Sequence, residues 1–296
     1  MRLRLRSVLA IAAVVVVAAG AVWLVALRPD GSAPPDRASS GGGGAPLTTA
    51  APATSSTTTS TTTTTMPAGL ALPLQPPPVR IAWAGDSVAG SLVDAIAAEA
   101  NARGVQLVRR TMPGCGMVRG VIADEAQAPI EFTRGCDAAI PAYHAGTGAS
   151  GADVVTWLST WETANRIVDG RGYEFGTPEG DAVLLGLIDE SVQQLTAGGA
   201  RLVFLTMPPN TTGPERPTID PVADQRALHL DELLRTYARA HADRVAVLDL
   251  AAIVCPTGPP CPTEVEGVTL RPEDGGHFGG DGPAWVAPRI LDRLLG

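Results

Sequence analysis

Three side chains stand out as able to do nucleophilic chemistry together: Ser87, Asp274 and His277. Ser87 lies in Ala84-Gly85-Asp86-Ser87-Val88, where an apolar run gives way to a glycine and then to a helical pattern. Gly85 permits a tight turn, and a serine opening the helix would turn its hydroxyl and its own N–H toward whatever binds there. A serine hydroxyl is a poor nucleophile near neutral pH unless a base takes its proton. The candidate base lies in Asp274-Gly275-Gly276-His277. Two intervening glycines let the carboxylate fold onto the imidazole, so that Asp274 orients Nδ1 and Nε2 stays free for Ser87. Either tripeptide alone is weak, because Gly-Asp-Ser also suits a turn or a helix cap, and Asp-Gly-Gly-His a solvated loop. Asp86 reads better as a structural group of the turn than as a reactant.

The elements that must hold these residues follow from periodicity. Continuous apolar runs predict strands at 79–84, 105–108, 153–158, 201–206 and 245–248. Helical spacing predicts helices at 88–103, 181–195, 221–241 and 283–295. Buried strands alternating with helices predict a doubly wound, flavodoxin-like α/β sandwich of three layers around a five-stranded parallel sheet. In such sheets ligands bind beyond the carboxyl ends of the strands, at the switch point. That puts the segments after strands one, three and four, and the loop before the last helix, around the site.

Gly85-Asp86-Ser87 after a first strand, with Asp274-x-x-His277 before the C-terminal helix, resembles the SGNH (GDSL-like) hydrolases over roughly residues 79–296. Pro113-Gly114-Cys115 and Trp161-Glu162 bring it nearest to the SGNH domains attached to membrane acyltransferases that decorate surface glycans. The resemblance implies an acyl-serine mechanism, with an oxyanion hole built from the N–H groups of Ser87 and Gly114. It implies no cofactor. Many family members carry Gly-x-Asn-Asp after strand three, whose Asn is a third oxyanion donor. Here Ser159-Thr160-Trp161-Glu162 stands in that place and Trp161 falls on the Asn. The third donor is then absent, or comes from Asn165 or from the backbone. Trp161, Asn165 and Met207 are the candidate lining of a substrate pocket. Residues 165–179 are expected to form a loop over the site, and His144 a surface loop position; His229 and His241 are expected to be solvated.

The rest of the chain bears on compartment and partners. The 296 residues carry a net charge of −8 and no basic stripe, which argues against nucleic acid as a partner. Cys115, Cys136, Cys255 and Cys261 lack zinc-site spacing, and no metal site is expected. In an exported domain they suit two disulfides, with Cys115–Cys136 and Cys255–Cys261 preferred because both loops avoid the predicted core strands; four unpaired thiols are the alternative. Residues 1–28 read as a single-pass signal anchor, with Arg2, Arg4 and Arg6 before an apolar run from Val8 to Leu27. A signal peptide cleaved near Ala19-Gly20-Ala21, releasing a secreted protein, is the alternative. Residues 29–78, rich in Gly, Ser, Thr and Pro, read as a disordered linker. The expected function is an extracytoplasmic serine esterase or O-acyltransferase on an acylated glycan or small acyl ester. A glycan-binding or scaffolding domain that lost activity, and a lipase or thioesterase, are the competing readings. The sequence carries no sign of oligomeric state.

Overall fold

The computed structural model describes residues 70–296. The expected membrane segment and most of the expected linker lie outside these residues. Among the described residues no helix is long and apolar enough to cross a membrane.

The boundary expected at residue 79 moves toward the N-terminus. Leu70, Leu72 and Leu74 alternate with exposed neighbours, as an extended segment does when one face is covered. Leu74 is fully buried, and Leu70 and Leu72 pack against the same core cluster. Leu74 N–H donates to the Leu294 carbonyl at 3.3 Å. The surrounding prolines signal an extended chain, but burying leucine side chains stabilises by roughly 1.5–3 kcal/mol each, enough to hold such a segment on the domain.

The elements run β1 (Arg80–Gly85), α1 (Ser87–Ala102), β2 (Gln106–Thr111), β3 (Val121–Ala123), α2 (Thr133–Gly148), β4 (Val154–Leu158), β5 (Asn165–Val168), β6 (Arg171–Tyr173), α3 (Pro178–Leu195), β7 (Arg201–Leu205), α4 (Pro221–Ala240), β8 (Val245–Leu248), α5 (Leu250–Val254), β9 (Glu264–Val265), β10 (Val268–Thr269) and α6 (Gly282–Leu295). Five of the strands form one sheet in the order β2-β1-β4-β7-β8. Every pairing in it is parallel. This is the expected doubly wound α/β sandwich. β1 is the strand from which the order runs both ways, so the turn after β1 sits at the switch point.

Strand alternation sorts the core into two halves. Ile81 and Trp83 face α1, α5 and α6, whereas Ala82 and Ala84 face the side covered by α3 and α4. Trp157 joins the second half, edge-on to Phe204 at 5.3 Å, as expected of a core residue.

Two segments differ from expectation. Residues 165–179 are not a loop over the site: β3, β5 and β6 form a small antiparallel sheet, and α3 begins within the segment. β5 and β6 pair Val168 with Arg171 across Asp169-Gly170, both at positive φ. Asp-Gly between two short strands is the two-residue hairpin signal, and it is legible in the sequence. His144 is not on a surface loop either. It lies in α2 at 1% exposure, with Nε2 2.8 Å from the Met117 carbonyl. α2 escapes a periodicity reading because Gly135, Pro141, Gly146 and Gly148 interrupt it with weak helix formers. His229 and His241 are partly exposed as expected, although each has a partner: His229 pairs with Asp181 at 2.7 Å, and His241 stacks on Tyr237 at 4.0 Å.

Candidate active site

Close packing at the end of β1 sets the position of Ser87. A Cβ on Gly85 would lie 1.9 Å from the Leu158 carbonyl oxygen, so only glycine lets β1 pass β4 there. Asp86 follows as the N-cap of α1 and is fully buried. Its Oδ1 accepts the Val88 N–H at 2.8 Å, and its Oδ2 accepts the Thr160 N–H at 2.7 Å and the Thr160 hydroxyl at 2.8 Å. Asp86 therefore clamps the turn after β1 to the turn after β4, the structural role expected of it. Ser87 is the first residue of α1, at the positive end of the helix.

The second half of the site is a turn anchored on the loop after β7. Gly275 takes φ +72°, and a Cβ there would lie 1.8 Å from the Thr211 carbonyl oxygen. Thr211 N–H donates to the Gly275 carbonyl at 2.9 Å. Within the turn, Asp274 Oδ1 accepts the N–H groups of Gly276 at 2.9 Å and His277 at 2.8 Å. Its Oδ2 stands 2.6 Å from His277 Nδ1. His277 Nε2 stands 2.8 Å from Ser87 Oγ, across 190 positions of sequence. Burial works to raise the Asp274 pKa, but the His277 ring and the two backbone N–H groups outweigh it and hold the carboxyl at about 2. An ionised carboxylate only accepts, so Nδ1 carries the proton and Nε2 presents its lone pair to the serine hydroxyl.

Three supports escaped the sequence reading. Ser91, one turn along α1, accepts the Phe278 N–H at 3.1 Å and ties the histidine turn to the serine helix. Arg271 is 2% exposed and donates to the Pro209 carbonyl at 2.7 Å beneath the turn. Burial pushes its pKa down to about 10, against the opposing pull of Asp224 and Asp274. Glu162 and Arg166 are buried together: Glu162 accepts the Met117 N–H at 2.6 Å, and Arg166 donates to the Trp161 carbonyl at 3.1 Å. Burial raises the Glu162 carboxyl while Arg166 opposes it. Each acts on the other through its field with no ion pair joining them, and their joint burial has no local sequence signature.

Gly114 lies in the turn Met112-Pro113-Gly114-Cys115, closed by Cys115 N–H to the Met112 carbonyl at 3.1 Å. Its φ of +78° after a proline is the pattern of a type II turn. The turn follows β2, and β2 is the parallel neighbour of β1, so Gly114 and Ser87 sit at the same carboxyl end of the sheet. Cys115–Cys136 ties this turn to α2, and Cys255–Cys261 closes a short loop after α5. Both pairings are the expected ones.

A crevice of about 430 Å³ is lined by Trp161, Met207, Asn210 and Arg216, and its Thr160 and Asn210 touch the turns that carry the triad. Two of the three expected lining residues are therefore in place; the third, Asn165, is not. It is 3% exposed, its amide N–H₂ donates to the Asp124 carbonyl at 3.0 Å, and its Oδ1 accepts from Phe175 N–H at 3.0 Å. With its amide committed to the small sheet, Asn165 is not a free oxyanion donor. Trp161 packs edge-on to Phe132 at 5.9 Å. Among the described residues no cluster of three or more His, Cys, Asp or Glu side chains is gathered to hold a metal ion.

The Met207 wall depends on an ionisable group. Met207 N–H donates to Asp231 Oδ1 at 2.7 Å, and the other Asp231 oxygen is buried without a partner. Burial pushes the Asp231 pKa up to about 7. Between the ordinary carboxyl pKa of about 4 and that value, the unfolded chain gives up the proton and the folded chain keeps it, so stability falls as pH rises through the window. Asp231→Asn is neutral throughout. Its melting temperature relative to wild type should rise between pH 5 and pH 8, and an unchanged difference would refute the argument.

A family model described as the SGNH domain fused to AT3 domains matches residues 60–292. No curated protein matches the chain in sequence. Among solved structures, it is similar to the periplasmic domain of a lipopolysaccharide acetyltransferase from Salmonella Paratyphi A. That likeness is 12% in identity, covers 72% of this chain and 82% of the other, and has a TM-score of 0.48. It is also similar to a GDSL-like lipase from Bacteroides thetaiotaomicron, at 12% identity, 72% and 85% coverage and a TM-score of 0.44. The family model spans nearly all of the folded residues, including both halves of the Ser87–His277–Asp274 array. On that match, the chain belongs to the SGNH domain family.

Proposed function

We propose that the chain is a serine esterase or O-acyltransferase acting on acyl esters, above all acetyl esters, of cell-envelope carbohydrate. The observation that carries this reading is the 2.8 Å approach of His277 Nε2 to Ser87 Oγ, with Asp274 behind the ring at 2.6 Å. In the proposed cycle, Ser87 Oγ attacks the ester carbonyl and passes its proton to Nε2. The tetrahedral oxyanion receives N–H donors from Ser87 and Gly114, each worth roughly 3 kcal/mol in comparable sites. Collapse breaks the C–O bond, Nε2 returns the proton to the departing sugar oxygen, and an acyl-Ser87 ester remains. Water or a second sugar hydroxyl then attacks that ester, giving its proton to Nε2, and Ser87 is released as the alcohol.

Hydrolysis and transfer use the same residues and differ only in whether water or a sugar reaches the acyl-enzyme. A glycan substrate is favoured by the resemblance to the SGNH domains attached to membrane acyltransferases that decorate surface glycans, and by a crevice near the triad that offers both polar side chains and an aromatic face. The two disulfides support an extracytoplasmic setting, since such bonds persist in oxidising compartments. The reading takes residues 1–28 as a membrane anchor and the segment after them as a tether.

Trp161 in the place of the family's Asn is the feature that favours the rival reading, a glycan-binding domain without turnover. An organophosphonate serine probe separates the two. The esterase reading expects rapid labelling at Ser87; a folded protein that never labels supports the binding domain. Acetyl release from p-nitrophenyl acetate, with and without an oligosaccharide acceptor, separates hydrolase from transferase by whether acceptor diverts acetyl from water.

A further inference from the structure

We infer that the crevice near the triad binds a carboxylate-bearing sugar, a uronic acid residue, with Arg216 as its anion contact and Trp161 as its ring platform. The inference rests on the glycan reading above and names the substrate class within it.

The crevice meets the turns that carry the triad at two points. Thr160 in one wall is bonded to Asp86, the neighbour of Ser87. Asn210 in the opposite wall has its Oδ1 against Gly276, between Asp274 and His277: a Cβ on Gly276 would stand 3.1 Å from that oxygen. A ring seated in the crevice therefore lies against the two segments that hold Ser87 and His277 in place.

Arg216 is the unusual group. Among the described residues every other arginine side chain has an ion-pair or hydrogen-bond partner. Examples are Arg109 with Asp94 at 2.5 Å on the surface and Arg226 on the Thr163 carbonyl at 2.7 Å beside the crevice. Arg216 has none, in a chain with 30 acidic residues against 22 basic ones. Among the described residues no acidic side chain reaches it within ion-pair distance. Asp220 caps α4 through the N–H groups of Val222 at 3.0 Å and Ala223 at 3.3 Å. Asp224 is buried, and it lies in the field of both Arg271 and Arg216 without bonding to the Arg216 guanidinium. A planar guanidinium left free in a cleft is shaped for two parallel bonds to a carboxylate. With Asp220 also in the wall, the lining has no net positive charge to spare, so a second negative charge is repelled more than a first and a carboxylate is preferred to a phosphate dianion.

Trp161 supplies the other half of the subsite. Its ring is partly exposed and held edge-on by Phe132, itself 60% exposed. A flat aromatic face suits the C–H face of a pyranose, leaving the hydroxyls for Asn210 and Thr218.

The test is isothermal titration of methyl glucuronoside, methyl glucoside and glucose 6-phosphate into wild type and Arg216→Gln. Because Arg216 holds no other side chain, the variant should fold normally, and a melting curve checks this. In wild type the glucuronoside should bind about tenfold more tightly than the glucoside, as one charge-assisted pair provides. In Arg216→Gln that ratio should fall to near one. Equal affinities in wild type, or a preference that survives in Arg216→Gln, would overturn the inference. Tighter binding of the phosphate would overturn the choice of carboxylate. Binding needs no turnover, so loss of Ser87-dependent p-nitrophenyl acetate hydrolysis would count against the esterase reading alone.

Discussion

Ser87→Ala should lower kcat for p-nitrophenyl acetate by about 10⁶-fold, because the group that forms the covalent intermediate is gone. What remains is the field of the oxyanion donors acting on a water molecule, which accounts for a residual of roughly 10³-fold over solution in comparable triads. The fold should be indifferent to the change. Ser87 Oγ is bonded to His277 Nε2, while the helix start is capped by Asp86 and the histidine turn is tied down by Ser91. Melting temperature should therefore stay within a few degrees of wild type, and organophosphonate labelling should disappear. A Ser87→Ala protein that hydrolyses the ester within tenfold of wild type would end the case for an acyl-Ser87 intermediate.

Asp274→Asn should cost about 10⁴-fold in kcat while leaving the turn nearly unchanged. The amide oxygen can still accept the N–H groups of Gly276 and His277, which Asp274 Oδ1 accepts now. The amide nitrogen then falls where Oδ2 faces Nδ1 at 2.6 Å, and it presents a donor where an acceptor was. His277 answers by moving its proton to Nε2, the nitrogen that must receive one from Ser87. The base is present but in the wrong tautomer. Asp274→Ala should do more structural harm, because it also removes the acceptor that shapes the turn. The wild-type carboxyl, held at about 2, contributes stability that is complete above the ordinary carboxyl range and is lost as pH falls through that value. Its own titration therefore cannot shape a rate profile measured above about pH 4. If Asp274→Asn retains more than a tenth of wild-type kcat, the carboxylate does not set the tautomer.

The parallel sheet was legible because its evidence is local. A strand covered on both faces needs a largely apolar run, and 79–84, 153–158 and 201–206 each carry one. The same holds for the two reactive segments: Gly85 before Ser87, and two glycines inside Asp274–His277, are required by backbone geometry within a few residues. The Asp169-Gly170 hairpin is equally local, a two-residue turn between short strands rather than the expected loop. α2 was hidden for a different reason. Its glycines and Pro141 weaken any helical signal, and packing against the rest of the domain supplies what intrinsic propensity does not.

What the sequence determined by itself is therefore the order of the five sheet strands and of the four helices α1, α3, α4 and α6, the two half-sites, and the pairs of cysteines near enough to join. These depend on periodicity, turn chemistry and loop length, which act over short stretches of chain. Tertiary structure alone decided that Asn165 is spent on the small sheet, that His144, Glu162 and Arg166 are buried, and that Arg216 is left without a partner in a cleft. A side chain's burial and hydrogen-bond partners come from segments tens to hundreds of residues away. No local pattern encodes them, and they exist only once the layers have closed.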